Sequence, residues 1–214
     1  MRFRDRHDAG RQLAACITQD PLAARLRDPI VLALPRGGVP VGFEVARGLD
    51  APLDVFVSRK LGAPRQPELG IGAVAEGGVR VVDEASVHAL GITADELEHI
   101  TEREHAELDR RVVHYRVGRS LPPLDDRDVV LVDDGLATGV TARAAIEALQ
   151  KAGGVVLAVP AAAADTAARL RADGVEVVSL VESFDFRAVG YWYDHFEQTT
   201  DDEVADLLAR AARH

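Results

Sequence analysis

Apolar residues fall along this chain in two alternating patterns. Short, mostly apolar runs occur at Ile30 to Leu34, Leu53 to Val57, Val129 to Val132, Val155 to Pro160 and Val175 to Leu180, the second interrupted by Asp54 and the last by Glu176 and Ser179. Their length and β-branched content predict strands, and the unbroken run before Asp133 predicts one buried on both faces of a parallel sheet. Around them, apolar positions recur every three or four residues. Ala9, Leu13, Ala14 and Ile17 do so between Arg6 and Thr18, and Val41, Val45 and Leu49 do so after Val39. Ala142 to Gln150, Asp165 to Ala172 and Asp201 to Ala212 carry the same spacing. Each predicts a helix with one face turned inward. The alternation predicts an α/β fold, a parallel sheet with helices on both faces, in one domain over residues 1–214.

The middle of the chain departs from this rhythm. Ser58-Arg59-Lys60 ends the second run, and Leu61 to Glu68 is rich in Pro, Gly and polar residues, which predicts a mobile loop. Leu69 to Ala75 and Val79 to Val82 flank Glu76-Gly77-Gly78 and predict a hairpin. Thr93 with Glu96 forms a capping box before a narrow stripe of Leu97, Ile100, Leu108, Val112 and Tyr115. A long helical excursion over 93–118 follows from that pattern. His99, His105 and His114 lack the i,i+4 spacing of a helical zinc site and read as a solvated face. Most of the aromatic residues gather between Phe184 and Phe196.

Composition narrows the function. The 214 residues include one cysteine, Cys16, so an internal disulfide is excluded and a reducing, cytoplasmic setting is expected. The charged N-terminus is followed by no long apolar run, so neither a secretory signal nor a membrane span is expected. A formal net charge of −10 argues against nucleic acid as a partner, because phosphate contacts need clustered Lys and Arg. A small anionic ligand needs only a few local basic residues.

Such a ligand has a place to bind at Asp128 to Thr141. A buried strand ends in Asp133-Asp134, a small-residue turn follows, and then a helix begins. Backbone N–H groups at a helix N-terminus favour a phosphate, Gly139 permits close approach, and Thr138 and Thr141 add hydroxyls. Val130-Leu131-Val132-Asp133-Asp134-Gly135-Leu136-Ala137-Thr138-Gly139-Val140-Thr141 resembles the phosphoribosyl-pyrophosphate (PRPP) motif of type I phosphoribosyltransferases, with Gly135 the departure. The resemblance implies that Asp133 and Asp134 hold ribose hydroxyls and that Ala137, Thr138, Gly139, Val140 and Thr141 wrap the 5′-phosphate. Pro35-Arg36-Gly37-Gly38 resembles the family's pyrophosphate loop, which implies a cis peptide between Pro35 and Arg36, with Arg36 and Gly37 facing the diphosphate. Arg59-Lys60 resembles the catalytic pair that opens the mobile loop of orotate phosphoribosyltransferases.

Val189-Gly190-Tyr191 and Asp194 resemble more loosely the base-binding hood of hypoxanthine phosphoribosyltransferases, which implies a hood over 182–200. Phe186 or Trp192 would then stack the acceptor, unless this segment packs on the core or on a second subunit. Asp194 would lie near a Mg2+ carried by PRPP, with no other protein ligand to the metal expected. Hypoxanthine-guanine enzymes of the family carry an Asp where this chain has Ala137, whereas Ala-Thr-Gly is similar to adenine enzymes. Glu68 and Glu76 remain as sources of a base. The function implied is transfer of ribose 5-phosphate from PRPP to a small nitrogenous acceptor. The alternative is a PRPP-sensing regulator of the same fold. A homodimer stays open.

Overall fold

The computed structural model describes residues 1–116 and 119–213, and the side chain of residue 68 is also outside the description. These residues divide into two compact units. The first comprises 1–55, 121–138 and 150–214, and the second 56–120 and 139–149.

The first unit is built on a five-stranded parallel sheet. Its strands are β1 (Ile30–Ala33), β2 (Leu53–Val55), β6 (Asp128–Val132), β7 (Gly154–Ala163) and β8 (Glu176–Ser183), in the order β2-β1-β6-β7-β8. β6 is buried along its whole length, as its unbroken apolar run requires. α1 (Arg6–Gln19) and α2 (Gly38–Leu49) cover one face of the sheet. There Leu13, Ile17, Val41 and Val45 pack with Val31, Val130, Val132 and Ala158. α6 (Ala164–Ala172) joins β7 to β8, while α2 joins β1 to β2 in the opposite direction along the sheet. Right-handed crossovers running opposite ways place their helices on opposite faces. The chain reverses between β1 and β6, so the ligand crevice of an open α/β sheet is expected at their carboxyl ends. α7 (Asp201–Ala211) packs against α2 and β2.

The second unit is an antiparallel sheet of β3 (Ser58–Ala63), β4 (Gln66–Ala75) and β5 (Val79–Val82). α5 (Val140–Ala148) packs on all three strands, and α4 (Ala94–Arg116) on β3 and β4. A short α3 (Glu84–Ala89) precedes α4. The capping box forms as expected: the Thr93 N–H donates to Glu96 at 2.9 Å, and the Glu96 N–H donates to Thr93 Oγ1 at 3.2 Å. Of the helix expected over 93–118, residues 117 and 118 lie outside the described residues.

One local expectation is corrected. Residues 59–68 form most of a hydrogen-bonded hairpin, not an irregular loop, with Lys60 opposite Ala73 and Ala63 opposite Gln66. The register slips at Leu61, Gly62 and Ala63. Such a bulge breaks the period-2 pattern by which a strand is recognised. β2 also ends at Val55, two residues earlier than expected, although Phe56 and Val57 are buried.

Candidate functional site

The carboxyl ends of β1 and β6 meet through their backbones. The Leu34 N–H donates to Val132 O at 2.8 Å, and the Gly38 N–H turns back to Leu34 O at 3.0 Å. The peptide between Pro35 and Arg36 is cis. No described group accepts from the N–H of Arg36 or Gly37. Backbone donors are rarely left unpaired in a folded chain, so these two are available to an anion. The diglycine is dictated by the acids beside it. A Cβ at Gly37 would fall on the Asp134 carboxylate, and one at Gly38 would lie 2.7 Å from Val132 O and 3.0 Å from Asp133 Cα. The Arg36 guanidinium is half-buried and reaches Asp201, at the start of α7, at 3.8 Å.

The two acids do not diverge as neighbours in a strand would, because β6 ends at Val132 and the chain bends at Asp134. Asp133 Oδ1 accepts from the Asp134 N–H at 2.8 Å. Burial and then the neighbouring Asp134 charge push the Asp133 carboxyl well above the usual carboxylate range. Burial raises Asp134 as well, while the Arg6 guanidinium pulls it back toward ionisation. Arg6 Nε donates to Asp134 Oδ2 at 2.8 Å. Behind the pair, the Tyr193 hydroxyl donates to Asp134 O at 2.6 Å, and burial raises this phenol far above its ordinary value.

Two carboxyls, two free backbone donors and a partly exposed Arg thus stand at the topological switch point. The phosphoribosyl transferase domain profile matches residues 4–195 of the sequence. The chain belongs to this family. Two Mycobacterium tuberculosis proteins, from strains CDC 1551 / Oshkosh and ATCC 25618 / H37Rv, each carry the name "Putative phosphoribosyl transferase". Both are 48% identical to this chain over 213 residues, which is 99% of this chain and 47% of theirs. The chain therefore spans about half the length of the curated relatives it matches. Among solved structures, TT1426 from Thermus thermophilus is 42% identical, with a TM-score of 0.81 over 98% of this chain and 99% of that one.

In this phosphoribosyl transferase domain the turn after the acid pair is firmly tied at its start. The Leu136 N–H donates to Ala161 O at 2.8 Å, and the Ala163 N–H donates to Leu136 O at 2.7 Å. The buried Thr166 hydroxyl donates to Ala137 O at 2.8 Å. Ala137 and Thr138 are exposed, and no described group accepts from their N–H. In the second unit, Gly139 takes the left-handed conformation (φ 75°) and caps α5. Val140 and Thr141 then supply first-turn N–H groups of the kind every helix leaves unpaired.

Arg59 and Lys60 belong to the second unit and are described with it. Arg59 grips Glu104 of α4 through Nη2 at 2.7 Å and Nε at 3.0 Å. The stem of Lys60 lies along Gly70, where an added Cβ would approach it to 3.2 Å. Glu76 is committed to Arg116, at 2.5 and 3.0 Å, and accepts the Val57 N–H at 2.7 Å. It is therefore poorly placed to act as the free base considered above. The Glu68 side chain lies outside the described residues.

The aromatic segment packs largely inward. Trp192 is 9% exposed and joins Phe3, Ala9, Ala161 and Tyr193 in a core cluster. Phe186 stacks on Trp192 with ring centroids 5.9 Å apart. Asp194 is exposed and pairs with Arg2 at 3.4 Å. Val189 presses on Gly135, where a Cβ would meet it at 2.6 Å. That fit accounts for the glycine that departs from the motif. Phe184, Tyr191 and Phe196 are open to solvent, 93%, 57% and 37% exposed. Arg6 and Tyr193 were not legible as site residues in the sequence. Their signals were only the basic N-terminal stretch and the nearness of Tyr193 to Val189-Gly190-Tyr191.

Proposed function

We propose that this chain binds PRPP and transfers its ribose 5-phosphate to a nitrogen of a small heterocyclic acceptor, releasing pyrophosphate. The carrying observation is the acid pair beside the free N–H groups of Arg36 and Gly37 at the β1/β6 switch point. In this reading Asp133 and Asp134 hold the ribose diol, Arg36 and Gly37 receive the diphosphate, and the turn from Ala137 to Thr141 takes the 5′-phosphate. The transition state has oxocarbenium character, so the chain acts by orienting the ribose, stabilising the departing diphosphate and excluding water. Arg59 and Lys60 are proposed to serve that leaving group.

Mg2+ is proposed to enter with PRPP. No group of three or more His, Cys, Asp and Glu side chains placed to hold a metal occurs among the described residues. Two adjacent carboxyls instead suit an ion that keeps its waters and rides on substrate phosphates. Bound there, Mg2+ would neutralise diphosphate charge. Asp194 is a further residue proposed to lie toward it.

The acceptor is proposed to be adenine-like or smaller, because Ala137 places no ionisable group in the turn. Proton handling then falls to other side chains or to water. Phe186, Trp192 and the exposed Tyr191 belong to the segment proposed to border the acceptor. A panel of purine, pyrimidine and pyridine bases with PRPP and Mg2+, read by pyrophosphate release, tests this reading. Turnover with adenine or a small heterocycle supports it, and a preference for hypoxanthine or guanine overturns the argument from Ala137. The Arg59–Glu104 ion pair favours a second reading, a PRPP sensor, because it occupies one of the two proposed leaving-group cations. Saturable PRPP binding with no pyrophosphate release across the panel would select it.

A further inference from the structure

We infer that Arg6 is a positioning residue for the acid pair: it commits the Asp134 carboxylate and fastens the C-terminal segment beside it, leaving Asp133 as the carboxyl presented to ligand. This rests on the reading that the pair holds PRPP, and it divides the work between two acids that the motif treats alike.

The geometry is that of a clasp. Arg6 opens α1, and its side chain is only 11% exposed. Nε donates to Asp134 Oδ2 at 2.8 Å, and Nη1 donates to Glu197 O at 2.7 Å. The guanidinium plane lies over the Phe196 ring, with Cζ 3.9 Å from its centroid. One fork therefore ties together three segments that are remote in sequence: the start of α1, the end of β6 and the chain after Trp192. Tyr193 grips the carbonyl of the same aspartate at 2.6 Å, and Gly37 closes against its carboxylate from the pyrophosphate-loop side. Asp134 is thus held at both ends and has little freedom to turn toward a sugar. Asp133 accepts from the Asp134 N–H, and among the described residues no cation is in hydrogen-bond contact with it.

Lysine cannot replace this arginine fully. Its ammonium is a single point, whereas the planar fork serves a carboxylate and a carbonyl together while stacking on a ring. Without Arg6, Asp134 becomes a buried carboxylate facing Asp133 with no counter-charge, free to reorient and repelling the diphosphate nearby. An ordinary stabilising salt bridge would lower the melting temperature when removed and leave the PRPP affinity of the folded protein unchanged. A positioning residue changes that affinity.

The test is a double-mutant cycle on the full chain: Arg6→Met, Arg6→Lys, Asp134→Asn and Arg6→Met with Asp134→Asn. PRPP binding with Mg2+ is measured by calorimetry. The emission of Trp192, the single tryptophan, and thermal melting confirm that each variant is folded. Arg6→Met is expected to weaken PRPP by about tenfold, the scale of one hydrogen bond to a charged group, with Arg6→Lys in between. In the Asp134→Asn background the same substitution should cost less than twofold, and Asp133→Asn should cost more than Asp134→Asn. Additive effects of Arg6→Met and Asp134→Asn, or unchanged affinity in folded Arg6→Met, overturn the inference while PRPP binding itself stands. Wild-type protein that does not bind PRPP overturns both readings. The melting cycle of the ligand-free variants then still reports whether Arg6 and Asp134 are coupled.

Discussion

Asp133 sits in conflict with its surroundings. Burial and the Asp134 charge disfavour its ionised form, so above the ordinary carboxylate value the folded chain binds the proton more tightly than the unfolded chain does. A folded-state pKa raised above the unfolded value makes an acid cost stability as pH rises through that window. Asp133→Asn removes this cost and mimics the neutral acid, and its amide oxygen can still accept from the Asp134 N–H. The variant is expected to melt a few degrees above wild type at pH 7.5, at about 2–4 °C per kcal/mol for a chain of this size. The gap should close as pH falls toward the ordinary carboxylate value. Melting curves across pH 4–8 check this, and a variant less stable at every pH would contradict it. The same substitution is expected to weaken PRPP, so the site trades stability for binding. Gly37 makes the complementary case, because a side chain there collides with the Asp134 carboxylate. Gly37→Ala is expected to cost about 1–3 kcal/mol by overpacking and to abolish measurable PRPP binding, as denaturant melts and calorimetry would show.

At the scale of elements, α4 acts as a scaffold for charges inside the second unit. Arg116, 4% exposed, holds Glu76 beyond the end of β4, and Glu104, 8% exposed, holds Arg59 on β3. Breaking one side of a buried ion pair leaves a buried charge behind, at a cost of about 3–5 kcal/mol. Glu76→Ala should show that loss in thermal melting, and joint replacement of Glu76 and Arg116 by apolar residues of similar volume should recover much of it. A Glu76→Ala variant as stable as wild type would remove the pair from the account. Elements were legible where one local pattern decided them. β1, β6 and β7 announced themselves because burial on both faces demands apolar runs, and the acid pair with the turn after it was carried by contiguous residues. What was hidden depends on distant partners or broken periods. Glu104 and Arg116 resemble a solvated helix face until β3 and β4 supply their counter-charges. β3 and the start of β4 were obscured by Gly62, Pro64 and Pro67 around a bulge. The contact of Arg6 with Asp134 spans 128 positions, beyond any local pattern.

For the whole molecule, the parallel unit carries the acid pair, the Pro35-Arg36-Gly37 turn and the segment after β8, while the antiparallel unit carries Arg59, Lys60 and α5. No described helix is long and apolar enough to cross a membrane. The curated relatives extend over about twice this length. Asp133 and Asp134 at the β1/β6 switch point are proposed to bind PRPP, and titration calorimetry with Mg2+ puts this to the test. Wild-type protein is expected to bind PRPP saturably, and the Asp133→Asn, Asp134→Asn double variant, folded by its melting transition, is expected to bind at least about tenfold more weakly. A folded double variant with wild-type affinity would contradict the claim.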